Sequence, residues 1–389
     1  MKVEFINQKK AIGLKVKEGF VVCGDIHLYN AYPYNNGFTG VFSHRLLDLY
    51  NVLRNTCLTA RQLNLPLILN GDIITTGIFD YPVERLLSDL LIEFRDITIT
   101  INLGNHDLDG DNSVIEPLIN ISSAPNHTVY SKPMIWEYIS QHDQLVKARF
   151  IFVPYMNDED TNKYLDSMKK EKYVKTIVFI HNSFMGSKYA NKIKSKSGIS
   201  QTIFTTGKLK WVDMVVASHI HKYQELCDGK GFYTSSLMPV DFGERRREHG
   251  YHVVDIKENK RYFVIPNTPR FVYVDADEEY DDKELKRKVK NNIIKILYDK
   301  NKAINKEEIK TRVLSAGAKF VAFKTKANQY GQIKKGSSKR NISGADAIIS
   351  SFTDVLADKY GLEKERLEKI GLRILEKSIK KSGMKTQRR

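Results

Sequence analysis

Six short apolar runs punctuate the first part of the chain: Phe20–Cys23, Leu67–Asn70, Ile97–Leu103, Phe150–Val153, Thr176–Ile180 and Met214–Ala217. Runs this short and this apolar read as strands of a sheet buried on both faces. Between the first two, Leu46, Leu47, Tyr50, Leu53, Cys57 and Ala60 recur at three- and four-residue intervals, the buried stripe of an amphipathic helix. Strand, helix, strand is the signature of an α/β layer. Tyr251–Ile256 and Arg261–Ile265 follow closely spaced and predict a hairpin or part of a second sheet.

Five of the six runs end in residues that bind metals. Gly24-Asp25-Ile26-His27 follows the first, Gly71-Asp72 the second, Gly104-Asn105-His106-Asp107 the third, His181-Asn182 the fifth and Ser218-His219-Ile220-His221 the sixth. Ligands of α/β sheets bind at the carboxyl ends of the strands, so these side chains are expected to converge in one crevice. Half of the ten histidines fall inside these few short motifs, which sets them apart from His44, His127, His142, His249 and His252, read as ordinary core or surface residues. Asp, Asn and His together suit manganese, iron or zinc better than magnesium or calcium. Seven candidate ligands exceed the needs of one ion. With Asp72 bridging, two ions take four ligands each, and a pair roughly 3.5–4 Å apart is the arrangement that clamps an in-line phosphoryl displacement.

The ordered series Asp-x-His, Gly-Asp, Gly-Asn-His-Asp, His and Ser-His-x-His over residues 24–221 resembles the calcineurin-like metallophosphoesterases. The resemblance implies an α/β sandwich of two mixed sheets flanked by helices. It implies one metal on Asp25, His27, Asp72 and His221 and the other on Asp72, Asn105, His181 and His219. It also implies that His106 contacts the scissile phosphate and assists the leaving oxygen, with Asp107 orienting it. Protein phosphatases of that superfamily carry a further Asp-Arg-Gly after Gly-Asp, which Ile73-Ile74-Thr75 does not match. Ser235-Ser236-Leu237-Met238-Pro239 and Asp241-Phe242-Gly243-Glu244 are instead similar to the corresponding loop of SbcD-type DNA nucleases, subunits of repair and recombination complexes. Two positions depart from the pattern: Ser218 stands where Gly is common, and Thr75 where many nuclease relatives carry His or an acid.

Charge is distributed unevenly. Of the net +16, Ala276–Arg389 supplies +13, from 29 Lys and Arg against 16 Asp and Glu. A positive field of this kind attracts polyanions. The SbcD resemblance implies three parts: a phosphoesterase core over 1–269, a small α/β capping domain that positions DNA over 270–340, and a helical hairpin over 341–389. Within the cap, Phe271–Val274 and Lys319–Phe323 read as strands and the stretch near Lys283–Tyr298 as helical. Lys319–Arg340 carries seven positive charges and no acid and reads as an exposed basic loop, so Lys319, Lys324, Lys326, Lys334, Lys335, Lys339 and Arg340 are the candidate phosphate contacts. In the hairpin, Ile348, Ile349, Phe352, Val355 and Leu356 make one stripe, and Leu367, Ile370, Ile374, Leu375 and Ile379 another.

The expected activity is a two-metal DNA nuclease, exonucleolytic on duplex ends or endonucleolytic on single strands, with manganese the first choice of metal and iron or zinc the others. Expected partners are DNA, an SbcC-type ABC ATPase with a coiled coil that the hairpin would dock on, and a second copy of the chain. The competing expectations are a phosphodiesterase acting on cyclic or dinucleotides, and a DNA-tethering subunit that no longer cuts. No apolar run is long enough to span a bilayer and Met1-Lys2-Val3-Glu4-Phe5 is not a secretory signal, so the expected compartment is cytoplasmic, the host's if the gene belongs to a phage. Cys23, Cys57 and Cys227 are widely spaced and imply no disulfide framework or zinc knuckle.

Overall fold

The computed structural model describes residues 1–326 except 76, 78–79, 119–123, 140–145, 171–174, 190–193 and 246–247. Twenty strands lie among the described residues. The first nine are β1 (Lys2–Asn7), β2 (Gly19–Cys23), the short pair β3 (Phe38–Thr39) and β4 (Phe42–Ser43), β5 (Leu67–Asn70), β6 (Ile99–Asn102), the pair β7 (Leu108–Asp109) and β8 (Asn112–Ser113), and β9 (His127–Tyr130). Next come β10 (Met134–Ile139), β11 (Val146–Val153), β12 (Lys175–His181), β13 (Met214–Ser218), β14 (Gln224–Leu226), β15 (Gly231–Tyr233), β16 (Tyr251–Asp255) and β17 (Lys260–Ile265). The last three are β18 (Phe271–Asp275), β19 (Ile293–Tyr298) and β20 (Phe320–Thr325).

Two large mixed sheets stack face to face. One runs β1-β17-β16-β2-β5-β6-β9, the other β10-β11-β12-β13-β15-β14. Because strand side chains alternate between faces, each buried strand serves two cores. Phe20, Val22 and Ile68 point between the sheets and meet Phe150, Phe152, Ile177, Phe179 and Val216. Val21, Cys23, Leu67 and Leu69 point outward, onto the helices His44–Leu63 and Tyr81–Glu93. Val178, Ile180, Val215 and Ala217 face a third cluster with Phe184, Phe204 and Leu209. This double burial is why the runs lack polar alternation. Phe150, Phe152 and Phe179 are fully buried, and truncating any one to Ala should cost about 3–5 kcal/mol.

The helix His44–Leu63 starts where Ser43 accepts from Leu46 N and stops where Asn64 turns left-handed at φ 54°. It buries Leu46, Leu49, Val52, Leu53, Cys57 and Ala60.

The third sheet, β18-β19-β20, is parallel, with the helices Asp282–Val289 and Lys306–Ser315 between its strands. Val274, Leu285, Val289, Ile294, Ile296 and Val313 give it a core of its own. Here two expectations are corrected. The helical stretch expected over Lys283–Tyr298 ends at Val289, and Asn291 in left-handed conformation (φ 61°) turns the chain into central strand β19. The basic segment expected as a loop from Lys319 is strand β20 through Thr325. Lys334, Lys335, Lys339, Arg340 and the expected helical hairpin lie outside the described residues. Among the described residues no helix is long and apolar enough to cross a membrane.

Candidate metal centre

The carboxyl ends of β2, β5, β6, β12 and β13 bring Asp25, His27, Asp72, Asn105, His181, His219 and His221 to one crevice. The loops after β2 and β5 run side by side: Asp25 N donates to Gly71 O, and Ile26 N and His27 N both donate to Asp72 O. Four of the seven residues hold positive φ, Asp25 at 49°, His27 at 55°, Asp72 at 53° and His219 at 98°. Left-handed backbone costs a non-glycine residue about 1–3 kcal/mol, so this conformation is retained against a local penalty. Two of the motif glycines make room. A Cβ on Gly71 would lie 2.1 Å from His181 Nδ1, and one on Gly104 2.2 Å from Asp72 Oδ1.

Three triads place their donor atoms within 4.8 Å of one another: Asp25, His27 and His221; Asp72, His181 and His219; and His27, Asp72 and His106. Asp72 is common to the last two, with Oδ2 3.8 Å from His27 Nε2 and 3.3 Å from His181 Nε2. Asn105 Oδ1 is 3.0 Å from His219 Nδ1.

Polar atoms that face each other fit cations. His27 Nε2 lies 2.9 Å from His221 Nε2, two ring nitrogens aimed at one point. His181 Nε2 is fully buried and faces the Asp72 carboxylate at 3.3 Å without a well-formed hydrogen bond. A donor set of imidazole nitrogen and carboxyl or amide oxygen, without thiolate, suits borderline divalent ions, and one shared carboxylate among seven ligands suits a pair of them.

Electrostatics follow from burial and proximity. Burial and the neighbouring His221 push His27 down to about 3, and burial with His181 pushes His219 down to about 4. Burial pushes Asp25 up to about 6. For His181 the burial penalty is outweighed by Asp72, raising it to about 9, and for His221 it is outweighed by Glu244 and Asp25, again to about 9. Asp72 falls well below the usual carboxylate range despite its burial, because His181 and His27 flank it.

His106 is half-buried beside this group, its ring 5.1 Å from that of His27 and its backbone N–H donating to Asp72 Oδ1 at 2.9 Å. The expectation that Asp107 orients it is corrected. Asp107 is fully buried, and its oxygens accept from Ile73 N, Ile74 N and Gly104 N at 2.7, 3.2 and 2.9 Å. It ties the loop after Asp72 to the loop before Asn105. His106 Nδ1 instead lies 2.6 Å from the carbonyl oxygen of Thr75. Thr75 thus has a role that any residue type could fill through its backbone, while its hydroxyl donates to His27 O at 3.0 Å.

Several supporting residues were not singled out by the sequence. Asn70 donates from Nδ2 to Ile180 O, Val216 O and Ser218 Oγ, stitching one large sheet to the other beneath the crevice, and Asn102 donates to Asn70 Oδ1 and Val153 O. Their signal is an amide closing a short, wholly buried strand. Ser218, the departure from Gly, pairs its hydroxyl with Asn70 and with Thr234. Tyr155 stacks at 6.1 Å on His219 from the rim.

Residues 19–223, more than half of the chain, match the calcineurin-like phosphoesterase family. This chain belongs to that family. The two mixed sheets flanked by helices are the phosphoesterase fold, and metal-dependent hydrolysis of phosphoesters is the activity that goes with it. No curated protein matches the chain. Among solved structures it is similar to a dimetal phosphatase from Danio rerio, at 11% identity and a TM-score of 0.37, over 62% of this phosphoesterase and 93% of that chain.

The candidate phosphate contacts on the small sheet are only in part available. Lys319 Nζ is 2.6 Å from Asp48, and Lys326 Nζ is 2.6 Å from Asp277 and 2.5 Å from Asp275. Those two ammonium groups already face carboxylates. Lys324 is exposed, and partial burial followed by the nearby Lys324 charge lowers the pKa of Lys295.

Proposed function

We propose that this phosphoesterase is a manganese-dependent DNA nuclease of the SbcD type. The observation that supports the reading is a pair of cationic side chains on neighbouring strands of the small sheet, Lys295 on β19 and Lys324 on β20, on the sheet against which Phe242 from the loop after the last metal motif is packed. A cation there meets the backbone of a long substrate whose reacting phosphate lies in the crevice, and each such contact releases counterions. The Ser235–Glu244 loop resemblance and the excess of +13 beyond Ala276 support the same substrate.

When bound, two divalent cations would activate a water and clamp the oxygens of the phosphoryl group. Asp25, His27, Asp72 and His221 would hold one and Asp72, Asn105, His181 and His219 the other. The Thr75 carbonyl accepts the Nδ1 proton of His106, which leaves Nε2 to face the phosphoester; in the imidazolium form Nε2 also carries a proton, which it would give to the departing oxygen, leaving the ring neutral. In this reading the small sheet is a cap that guides DNA, residues 341–389 dock an SbcC-type ATPase, the chain works as a homodimer, and its compartment is cytoplasmic.

End-labelled duplex and single-stranded DNA incubated with manganese provide the test. Cleavage should appear and should fall about 10²–10⁴-fold in His106→Ala. If a small phosphodiester is hydrolysed while every DNA substrate stays intact, the nuclease reading is wrong and a small-molecule phosphodiesterase takes its place.

A further inference from the structure

Glu244 lies 23 residues beyond His221 in sequence and directly beneath it in space. Its carboxylate is buried at 5% exposure. Oε1 is 2.7 Å from His221 Nδ1, and Oε2 accepts from Val240 N at 2.8 Å. The residue is also gripped from behind: His249 Nε2 lies 3.2 Å from Glu244 O, and His249 Nδ1 pairs with Ser236 Oγ at 2.8 Å. A carboxylate on Nδ1–H fixes the ring's tautomer and heading and leaves the Nε2 lone pair for a cation.

Two residues earlier, the same loop plugs into the small sheet. The Phe242 ring is 4.6 Å from Phe271 and 5.2 Å from Tyr273, both on β18, and the Lys295 ammonium on β19 sits 4.1 Å above it. Arg245 closes the loop from the other side, donating to Phe242 O at 2.9 Å with its guanidinium 4.5 Å over Tyr273. The loop that carries His27 reaches the same cluster. Tyr34 packs 5.3 Å from both Phe242 and Phe271, and the Tyr32 hydroxyl donates to His27 O. Buried Arg45 joins the two loops, donating to Pro239 O and lying 5.7 Å over Tyr32 and 5.3 Å over Phe271. Both loops that touch the small sheet therefore serve His27 and His221, which share one triad with Asp25.

We propose that Glu244 is a positioning residue for His221, and that the small sheet, through Phe242, holds Glu244 in place and so tunes one of the two metal sites and not the other. The aromatic plug is the transmission. A shift of the small sheet moves Phe242, the two-residue link moves Glu244, and the His221 ring loses its heading. The rings of His181 and His219 are held elsewhere, by Asn70 O and Asn105 Oδ1, and keep their headings. The inference rests on the metal pair and not on DNA as substrate.

The experiment titrates Mn²⁺ into chelator-stripped full-length protein by calorimetry, with hydrolysis of bis(p-nitrophenyl) phosphate as a second readout. Wild type should bind two ions. Glu244→Gln should weaken one site about 10–100-fold and leave the other within about threefold. Phe242→Ala should weaken that same site, and Lys295→Ala should do so by a few-fold; this second variant, placed on the small sheet at the half-buried rim of the plug, decides the matter if Phe242→Ala does not fold. Equal weakening of both sites in Glu244→Gln, or unchanged affinities, would overturn the role of Glu244. Unchanged affinities in a folded Phe242→Ala, or in Lys295→Ala, would overturn the coupling to the small sheet. Fewer than two ions in wild type would overturn the metal pair and this proposal with it, whatever happens with DNA.

Discussion

His181 and His221 are imidazoles at the rim of one crevice, yet their Nδ1 atoms are held in different ways. His181 donates to a main-chain carbonyl, Asn70 O, at the end of β5 in the opposite sheet, so its heading is set by how the two large sheets stack. His221 donates to a side chain, Glu244, on a loop that leans on the small sheet. The first arrangement shares the rigidity of the large sheets. The second can be adjusted, because a loop carboxylate moves with whatever packs against its loop. One metal centre thus combines a half fixed by the fold with a half open to adjustment.

The severest way to break this comparison is to remove what the halves share. Asp72→Ala takes away the carboxylate between them, and both ions should be lost together, with hydrolysis falling roughly 10⁴-fold or more against the large enhancements typical of enzymes. Metal analysis after desalting checks it. Retention of one tightly held ion would show that the halves are independent.

Next in size is Asp107→Ala. Three backbone N–H groups lose their acceptor in a fully buried position, and at about 1–3 kcal/mol per unsatisfied group the unfolding free energy should drop by about 3 kcal/mol or more. Urea unfolding of the stripped protein measures it. If stability holds while only the rate of hydrolysis falls, Asp107 acts on His106 after all and the geometry described above is misread.

The sequence made the strand ends and their ligands legible because continuous burial on both faces leaves an unbroken apolar run, and Gly-Asp or Gly-Asn-His at its end interrupts that run sharply. It failed where a residue's role depends on a distant partner. Glu244 gains its role from His221, and Lys319 loses its free charge to Asp48, 271 residues away. Asp107 follows His106 in sequence, which suggested a contact, but backbone donors from two loops fill both its oxygens. Strand β19 reads as the continuation of a helix because Ile293, Ile294, Ile296 and Leu297 follow an amphipathic stretch, and the left-handed turn at Asn291 separates the two. Edge strands β1 and β10 are illegible for the opposite reason: Glu4 and Glu137 interrupt their apolar residues, so neither makes an unbroken run.

A third prediction sharpens the contrast. Asn70→Leu removes the amide that ties Ile180 O, Val216 O and Ser218 Oγ together, while the Asn70 carbonyl that holds His181 stays. The loss should be about 2–3 kcal/mol of stability, with the Asn102 amide also left short of an acceptor. Metal affinity should suffer at the site of His181 and His219, the mirror image of Glu244→Gln. Calorimetric titration of both variants side by side would reveal the same site weakened in each if the two halves are not separately held.

Ser218→Gly is the mildest change and tests the sheet-held half most finely. The hydroxyl accepts from Asn70 and pairs with Thr234 Oγ1 at 2.8 Å, so its removal leaves two buried polar groups to re-pair with each other or with water. A Cβ on Gly24 would lie 2.2 Å from that hydroxyl, which means that the serine also fills the space against the loop carrying Asp25. The expected cost is about 1 kcal/mol in urea unfolding, with hydrolysis of a small phosphodiester within about threefold of wild type, because the backbone N–H of His219 still donates to Asp25 at 2.9 Å. A drop in hydrolysis of tenfold or more at unchanged stability would mean that the hydroxyl, not the strand, sets the heading of His219.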